Sequence, residues 1–284
     1  MKNFVSHAID ALNKKSIPLL KKVNWHNDAQ SVINFCNSSK TAIHFSMPDG
    51  GKILNDEFKG IIGQELRLPF PVITIEYYQN AGVDSKNGQV PARNRLLLAF
   101  EDEIDEELFI IVISAHSGLY DWEISSLAAV IPSKWDKNCS KGEFNVVKVL
   151  PDFLKNHADE QMYQILKNEI AEECVVVMEF LEALSCKNVS HVPIGKTSKV
   201  MNDMRIRKGK TPFYETRELI VHSSSISGKV SDIVNTSNNP YTPKRQHLRR
   251  GHIRRLEKGN IWVNSCIVGS AELGVINKTY KIAA

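Results

Sequence analysis

Residues 95–114 read Arg-Leu-Leu-Leu-Ala-Phe-Glu-Asp-Glu-Ile-Asp-Glu-Glu-Leu-Phe-Ile-Ile-Val-Ile-Ser. Two short apolar runs, Arg95 to Phe100 and Leu108 to Ser114, flank a carboxylate-rich connector. Runs of this length suit strands better than helices, and joining two of them through a short polar connector predicts an antiparallel hairpin. Outward from it, Val72 to Tyr78 (Val-Ile-Thr-Ile-Glu-Tyr-Tyr) is β-branched and aromatic and is entered after Pro69 and Pro71, the composition of a strand. Ala42 to Met47 and Phe144 to Leu150 add two more, the latter stopped by Pro151. An antiparallel sheet is the economical expectation.

Helical spacing brackets these strands. Phe4, Val5, Ala8, Ile9 and Leu12 recur on one helical face, with Pro18 expected to reset the chain; Trp25, Ile33 and Phe35 are expected to pack inward. From Asp159 to Leu184 the residues Leu166, Ile170, Cys174, Val177, Leu181 and Leu184 step by four and three, which predicts one long amphipathic helix covering the sheet. The expected class is α+β: an antiparallel sheet with one long covering helix, plus a basic C-terminal β-hairpin module.

The chain has 284 residues and a net charge of +4 that hides an asymmetry. Residues 200–284 carry 15 Lys/Arg against 6 Asp/Glu, a balance of +9, and residues 1–199 carry 21 against 26, a balance of −5. An acidic body with a basic end suggests a module facing a polyanion. The division drawn from composition is a body at 1–194, a candidate target-selecting domain, and a basic module at 195–284 with a Ser/Asn/Thr/Pro-rich loop at 222–243. The first residues lack an apolar signal core and no apolar run approaches the ~20 residues of a membrane span. The five cysteines are widely spaced with no Cys-x-x-Cys. A cytoplasmic protein with no structural disulfide and no membrane partner is expected.

The densest signal is Pro243 to Gly269, whose first sixteen residues hold seven Lys/Arg and two His before the chain turns apolar. Leu248 to Leu256 and Ile261 to Val268 are expected strands, turned by Glu257, Lys258, Gly259 and Asn260, because Gly and Asn tolerate positive φ. On a regular strand Leu248, Arg250, His252, Arg254 and Leu256 share one face and Arg249, Gly251, Ile253 and Arg255 the other. Guanidinium on both faces excludes a buried strand and suits a projecting ribbon, with Ile261 and Trp262 anchoring it. Arg forks bind phosphate bidentately and stack on bases. The candidate nucleic-acid contacts are Arg205, Arg207, Lys208, Lys210, Lys244, Arg245, Arg249, Arg250, Arg254, Arg255 and Trp262, with RNA the first candidate and DNA or an acidic host protein the alternatives.

The run Pro-Lys-Arg-Gln-His-Leu-Arg-Arg-Gly-His-Ile-Arg-Arg-Leu (243–256), followed by a Trp-containing strand and a Val-Gly end, resembles the C-terminal signature of a phage and mobile-element family that includes a type V-A anti-CRISPR protein. Arg-Ile-Arg-Lys-Gly-Lys-Thr-Pro-Phe-Tyr-Glu (205–215) resembles a second block of phage members. The likeness spans about 70 residues from Met204, and the matching positions are His247, Arg249, Arg250, Gly251, His252 and Trp262. What the resemblance implies is a counter-defence protein that limits production of an effector nuclease by acting on the nascent product and its message. It brings no catalytic assignment, and this chain departs from it at Ile253, where the anti-CRISPR member has an aromatic.

Other constellations are weaker. His247 and His252, with a neighbouring Arg or Lys, hold the groups a metal-independent ribonuclease needs. Their offset of five places them on opposite faces of a regular strand unless a bulge at Gly251 intervenes. Phosphate hydrogen bonding is the simpler role, so binding rather than catalysis is expected. A zinc site from His247, His252 and Cys266 lacks a fourth ligand, and neither metal nor cofactor is implied. Gly195-Lys196-Thr197 lacks the earlier Gly of a phosphate-binding loop, Ser190 standing there. Asp102, Glu103, Asp105, Glu106 and Glu107 suit a solvated turn or a surface for the basic end. Ser114-Ala-His-Ser-Gly118 reads as a loop after a strand.

Overall fold

A computed structural model describes residues 3–20, 26–53, 66–79, 94–104, 106–117, 121–134, 145–195, 197–222, 245–249, 252–256, 259–263, 266–268 and 270–275. The order is α1 (Phe4–Leu20), α2 (His26–Thr41), β1 (Ile43–Ser46), β2 (Val72–Tyr78), β3 (Asn94–Ile104), β4 (Glu107–Ser117), β5 (Trp122–Pro132), β6 (Asn145–Lys148), α3 (Pro151–His157), α4 (Glu160–Leu184), β7 (Val189–Ile194), α5 (Lys199–Arg207) and β8 (Thr216–Val221). Five short strands follow: β9 (Arg245–Arg249), β10 (His252–Leu256), β11 (Gly259–Val263), β12 (Cys266–Val268) and β13 (Ser270–Val275).

The α+β class holds, and the sheet is mixed rather than antiparallel. Eight strands lie in the order β6-β5-β4-β3-β2-β1-β8-β7. From β2 to β6 each strand pairs antiparallel with the next, as hairpin logic predicts. β1 runs parallel to both its neighbours, β2 and β8. Only a long connection allows a parallel pair, and the 25 residues between Ser46 and Val72 supply one. β8 arrives 170 residues after β1, counting from Ser46 to Thr216, a pairing that no local pattern announces.

Each face of the sheet has its own core. Leu97, Ala99, Ile110, Val112, Ala129 and Ile131 face α4, whose Ile170, Cys174, Val177 and Leu181 are buried as the four-and-three spacing requires. Leu96, Leu98, Ile111, Ala115, Ala128 and Val130 face the helices α1 and α2. Strands covered on both faces lose the polar–apolar alternation that marks a one-sided strand. That is why β5, which carries Ser125, Ser126, Ala128 and Ala129, goes unread in the sequence. α1 continues through Pro18 to Leu20. Pro18 lies in the last turn, where a missing amide donor removes one bond before the helix ends. Phe35 is buried, Ile33 is half-buried, and Trp25 lies outside the described residues.

Helix ends are closed by named groups. Asp159 accepts from the Met162 amide at 2.8 Å and caps α4. The buried Asp28 of α2 takes the amides of Asp152 and Phe153, both at 2.9 Å, at the start of α3. Asp102 and Glu103 belong to β3 and Glu107 to β4, so the acidic turn narrows to Asp105, outside the described residues, and Glu106 at φ 65°. Ser114 and His116 are strand residues, since β4 runs to Ser117; the expectation of a loop there is wrong because the alternation continues through small residues.

A buried ion pair joins the sheet to α4. Arg95 Nη1 donates to Glu173 Oε1 at 2.9 Å, Ser114 Oγ donates to the same oxygen at 2.8 Å, and Arg95 Nε donates to Gln79 at 2.7 Å. Burial pushes the Glu173 carboxyl up to about 7 against the pull of Arg95. On the opposite face His44 Nδ1 meets Thr74 Oγ1 at 2.7 Å and its ring lies 4.6 Å from Tyr214; burial lowers its pKa to about 4.

These two groups act on stability with opposite signs. His44 is lowered from 6.5, so its contribution is whole above pH 6.5 and is lost as pH falls toward 4. Glu173 is raised from 4.5, so its contribution is whole below pH 4.5 and is lost as pH rises toward 7. In a series of Tm measurements across that range, His44→Gln is expected to flatten the acid-side loss, on the order of 3 kcal/mol at most. Glu173→Gln is expected to remove the loss between pH 4.5 and 7.

Candidate nucleic-acid interface

The basic ribbon has a fixed seat. β10 pairs with β11 antiparallel, with Ile253 opposite Trp262 and Leu256 opposite Gly259. Of the four residues expected to turn the hairpin, Gly259 and Asn260 open the second strand, and Glu257 and Lys258 lie outside the described residues. Gly259 has φ +117° and a Cβ there would stand 2.8 Å from Lys187 Cε, so only glycine fits without displacement. Asn260 is buried. Its side chain donates to Ser185 Oγ at 3.0 Å and its carbonyl accepts from the Lys187 amide at 3.0 Å. Asn188 completes the seat: its Oδ1 accepts from the Trp262 amide and its Nδ2 donates to the Trp262 carbonyl, both at 2.8 Å. The corner between α4 and β7 thus offers β11 a short polar template. Asn260 and Trp262 face that corner through β11, and Arg254 on the partner strand is exposed.

Beyond β10 and β11 the ribbon continues as a second pair. Arg249 stands opposite Cys266 and His247 opposite Val268, with β13 running parallel to β9 on its other side. Two residues on each side, 250–251 and 264–265, separate the two pairs and lie outside the described residues, as do Lys244 and residues 223–243, where composition predicts a loop. His247 and His252 fall in two different sheets, so the expected single regular strand from Leu248 to Leu256 is interrupted. Cys266 faces Arg249 rather than either histidine in the register. Arg245, Arg249 and Arg255 are placed by their backbone, within β9 and β10.

The second basic block divides into a half-buried member and an exposed set. α5 is held by Asn202, which donates to the Phe213 carbonyl at 2.9 Å and accepts from its amide at 2.8 Å. Arg205 pairs with Asp10 at 2.9 Å, donates to the Thr211 carbonyl at 2.7 Å and stacks 4.0 Å from the Phe213 ring centroid. Two of its nitrogens are therefore engaged within the chain, Nε by Thr211 and Nη2 by Asp10: the same fork that suits phosphate suits Asp10. Asp10 also accepts from the Thr211 amide at 2.7 Å. Arg207, Lys208 and Lys210 are exposed. β8, which follows, is bonded between β1 and β7 in the main sheet. The boundary drawn at 194/195 therefore runs through that sheet, because the shift in composition marks an insertion between two strands.

A cavity of about 550 Å³ opens beside the seat, at the carboxyl ends of β1, β2 and β8. Met47, Ile53, Leu219, Val221 and the half-buried Trp262 form its apolar walls, with Asp49, Glu76 and Glu218 as its charged members. Its rim turns on Gly51, at φ +68°, where a Cβ would stand 2.9 Å from Val176. Among the described lining residues there is no Lys, Arg or His. The described lining of this space thus carries acids and no base. The acidic residues at the β3–β4 end lie at the opposite end of the strands from the ribbon's seat, as the registers require.

The Asn188 and Asn260 contacts carry no sequence signal, because an Asn in a polar stretch looks like any solvated turn residue. The chain matches no protein-family model, no curated protein and no solved structure.

Asn188→Ala removes both bonds to Trp262 and is expected to weaken the seat by about 2 kcal/mol. Amide hydrogen exchange at Trp262 checks this: protection should fall there while β3 and β4 stay protected.

Proposed function

We propose that this is a phage-type accessory or counter-defence protein that binds a polyanion, RNA first, with the cations of the ribbon and of the segment after α5. The observation that carries the reading is how the ribbon is mounted. Its inner strand is bonded to Ser185, Lys187 and Asn188, so the strand bearing Arg254 is presented to solvent on a rigid support. Arg207, Lys208 and Lys210 add exposed positive charge. The segregation of +9 into residues 200–284 supports the same reading, since clustered cations repel one another unless an anionic partner compensates them. The resemblance of residues 205–215 and 243–269 to a phage family supports a counter-defence role, in which the eight-stranded body selects a host protein or a nascent chain.

Binding to a labelled single-stranded RNA is expected to weaken with salt, with a log–log slope of roughly −4 if about six cations touch phosphates. Replacing Arg207, Lys208 and Lys210 together by Ala should make that slope shallower by about 2 and leave Tm unchanged. Arg205→Ala should instead lower Tm, because it strands Asp10. Fluorescence anisotropy over a salt series measures the first effect and thermal denaturation the second. Binding that ignores salt, or the absence of binding, would overturn the reading.

A further inference from the structure

Two stretches of helix in the described structure contain no fully buried residue. α5 has no buried residue, and its Val200 and Met204 are 65% and 50% exposed. The first ten residues of α4, 160–169, also contain none, the first buried one being Ile170; Met162 and Ile165 there are 36% and 52% exposed. Large apolar groups left in water along a helix mark an interaction surface.

The two surfaces complement each other. On α5, Asn202 and Arg205 are turned inward by their bonds to Phe213, Thr211 and Asp10. Helical spacing then places Val200, Met204 and Arg207 on the outward side. Exposed Lys199, Arg207 and Lys208 outnumber the one acid there, Asp203. On α4, Met162, Ile165, Glu169 and Glu172 follow one another at spacings of three and four, so they share an outward stripe. Asp159 and Glu160 add to its acidity, against the half-buried Lys167. One stripe is apolar and basic, the other apolar and acidic.

They cannot meet within one chain. Glu173 stands over β3 and β4 through Arg95 and Ser114, and α4 before it lies toward β5. α5 is tied to α1, on the other face of the sheet, beside β8. β5 and β8 are separated by five strand spacings, roughly 24 Å. We propose that α5 of one molecule docks on the N-terminal half of α4 of a second copy, a head-to-tail contact in which each helix gains the packing partner it lacks. Contacts of this heterologous kind build rings or open chains instead of closing on a two-fold axis.

Analytical ultracentrifugation of nuclease-treated protein tests this without RNA bridging, so its failure is separate from failure of the RNA reading. The mass should rise above that of the 32.0 kDa chain as concentration increases, and salt should reverse the rise. Met204→Glu and Ile165→Glu, both at exposed positions, should each abolish self-association with unchanged circular dichroism. Mixed together they should form a dimer and nothing larger, because the first variant keeps an intact α4 stripe and the second an intact α5 stripe. A wild type that stays monomeric at every concentration overturns the proposal. So does a mixture that forms no complex, which would mean that like surfaces meet. Flotation of the monomer with anionic phosphatidylglycerol vesicles would assign α5 to a membrane surface instead and equally overturn it.

Discussion

The placement of β8 between β1 and β7 is the constraint on which the functional geometry depends. Thr216 is buried where β8 meets His44 of β1 and Ile194 of β7. That pairing fixes both ends of the segment between the strands, and α5 is that segment. It also holds β7 at the sheet edge, which sets the Ser185–Asn188 corner on which β11 sits. Loosening β8 would release α5 and the ribbon's seat together, although they share no contact with each other in the described structure.

α1 and α4 then divide the work of holding the pieces. α1 secures the approach to β8: Asn3 donates to the Tyr214 carbonyl, Ser6 to the Pro212 carbonyl, and Asp10 takes both Arg205 and the Thr211 amide. All but the Arg205–Asp10 pair are hydrogen bonds to backbone, in a segment with few core formers where packing alone could not fix the chain. α4 crosses the sheet and is tied to β3 and β4 by the Arg95–Glu173–Ser114 cluster. A perturbed carboxyl of that kind resembles a catalytic group. Here it sits between sheet and helix, and burial explains its raised pKa while its bonds to Arg95 and Ser114 clamp the helix to the sheet.

Charge is organised by the same frame. The cavity beside Trp262 is walled by apolar side chains and acids, and the exposed cations stand outside it on Arg254 and on the end of α5. The ribbon's inner strand turns Asn260 and Trp262 toward the body, and Arg254 and Leu256 of the outer strand are exposed.

The sequence by itself determined the elements whose signal is local. Val72 to Tyr78, the hairpin around the acidic turn and the stripe of α4 are legible because their side-chain periods match the structure within a few residues, and the basic ribbon is legible because charge density needs no fold to be seen. What the tertiary structure alone decided is which distant pieces meet. The parallel pairing of β1 with β8, the capture of Arg205 by Asp10, and the seat that Asn188 offers Trp262 join residues 74 to 195 positions apart. Each joins groups whose own neighbours in the chain give no hint of the partner. A guanidinium in the sequence is the same whether it meets a phosphate or a buried carboxylate, and only the folded geometry supplies the one or the other.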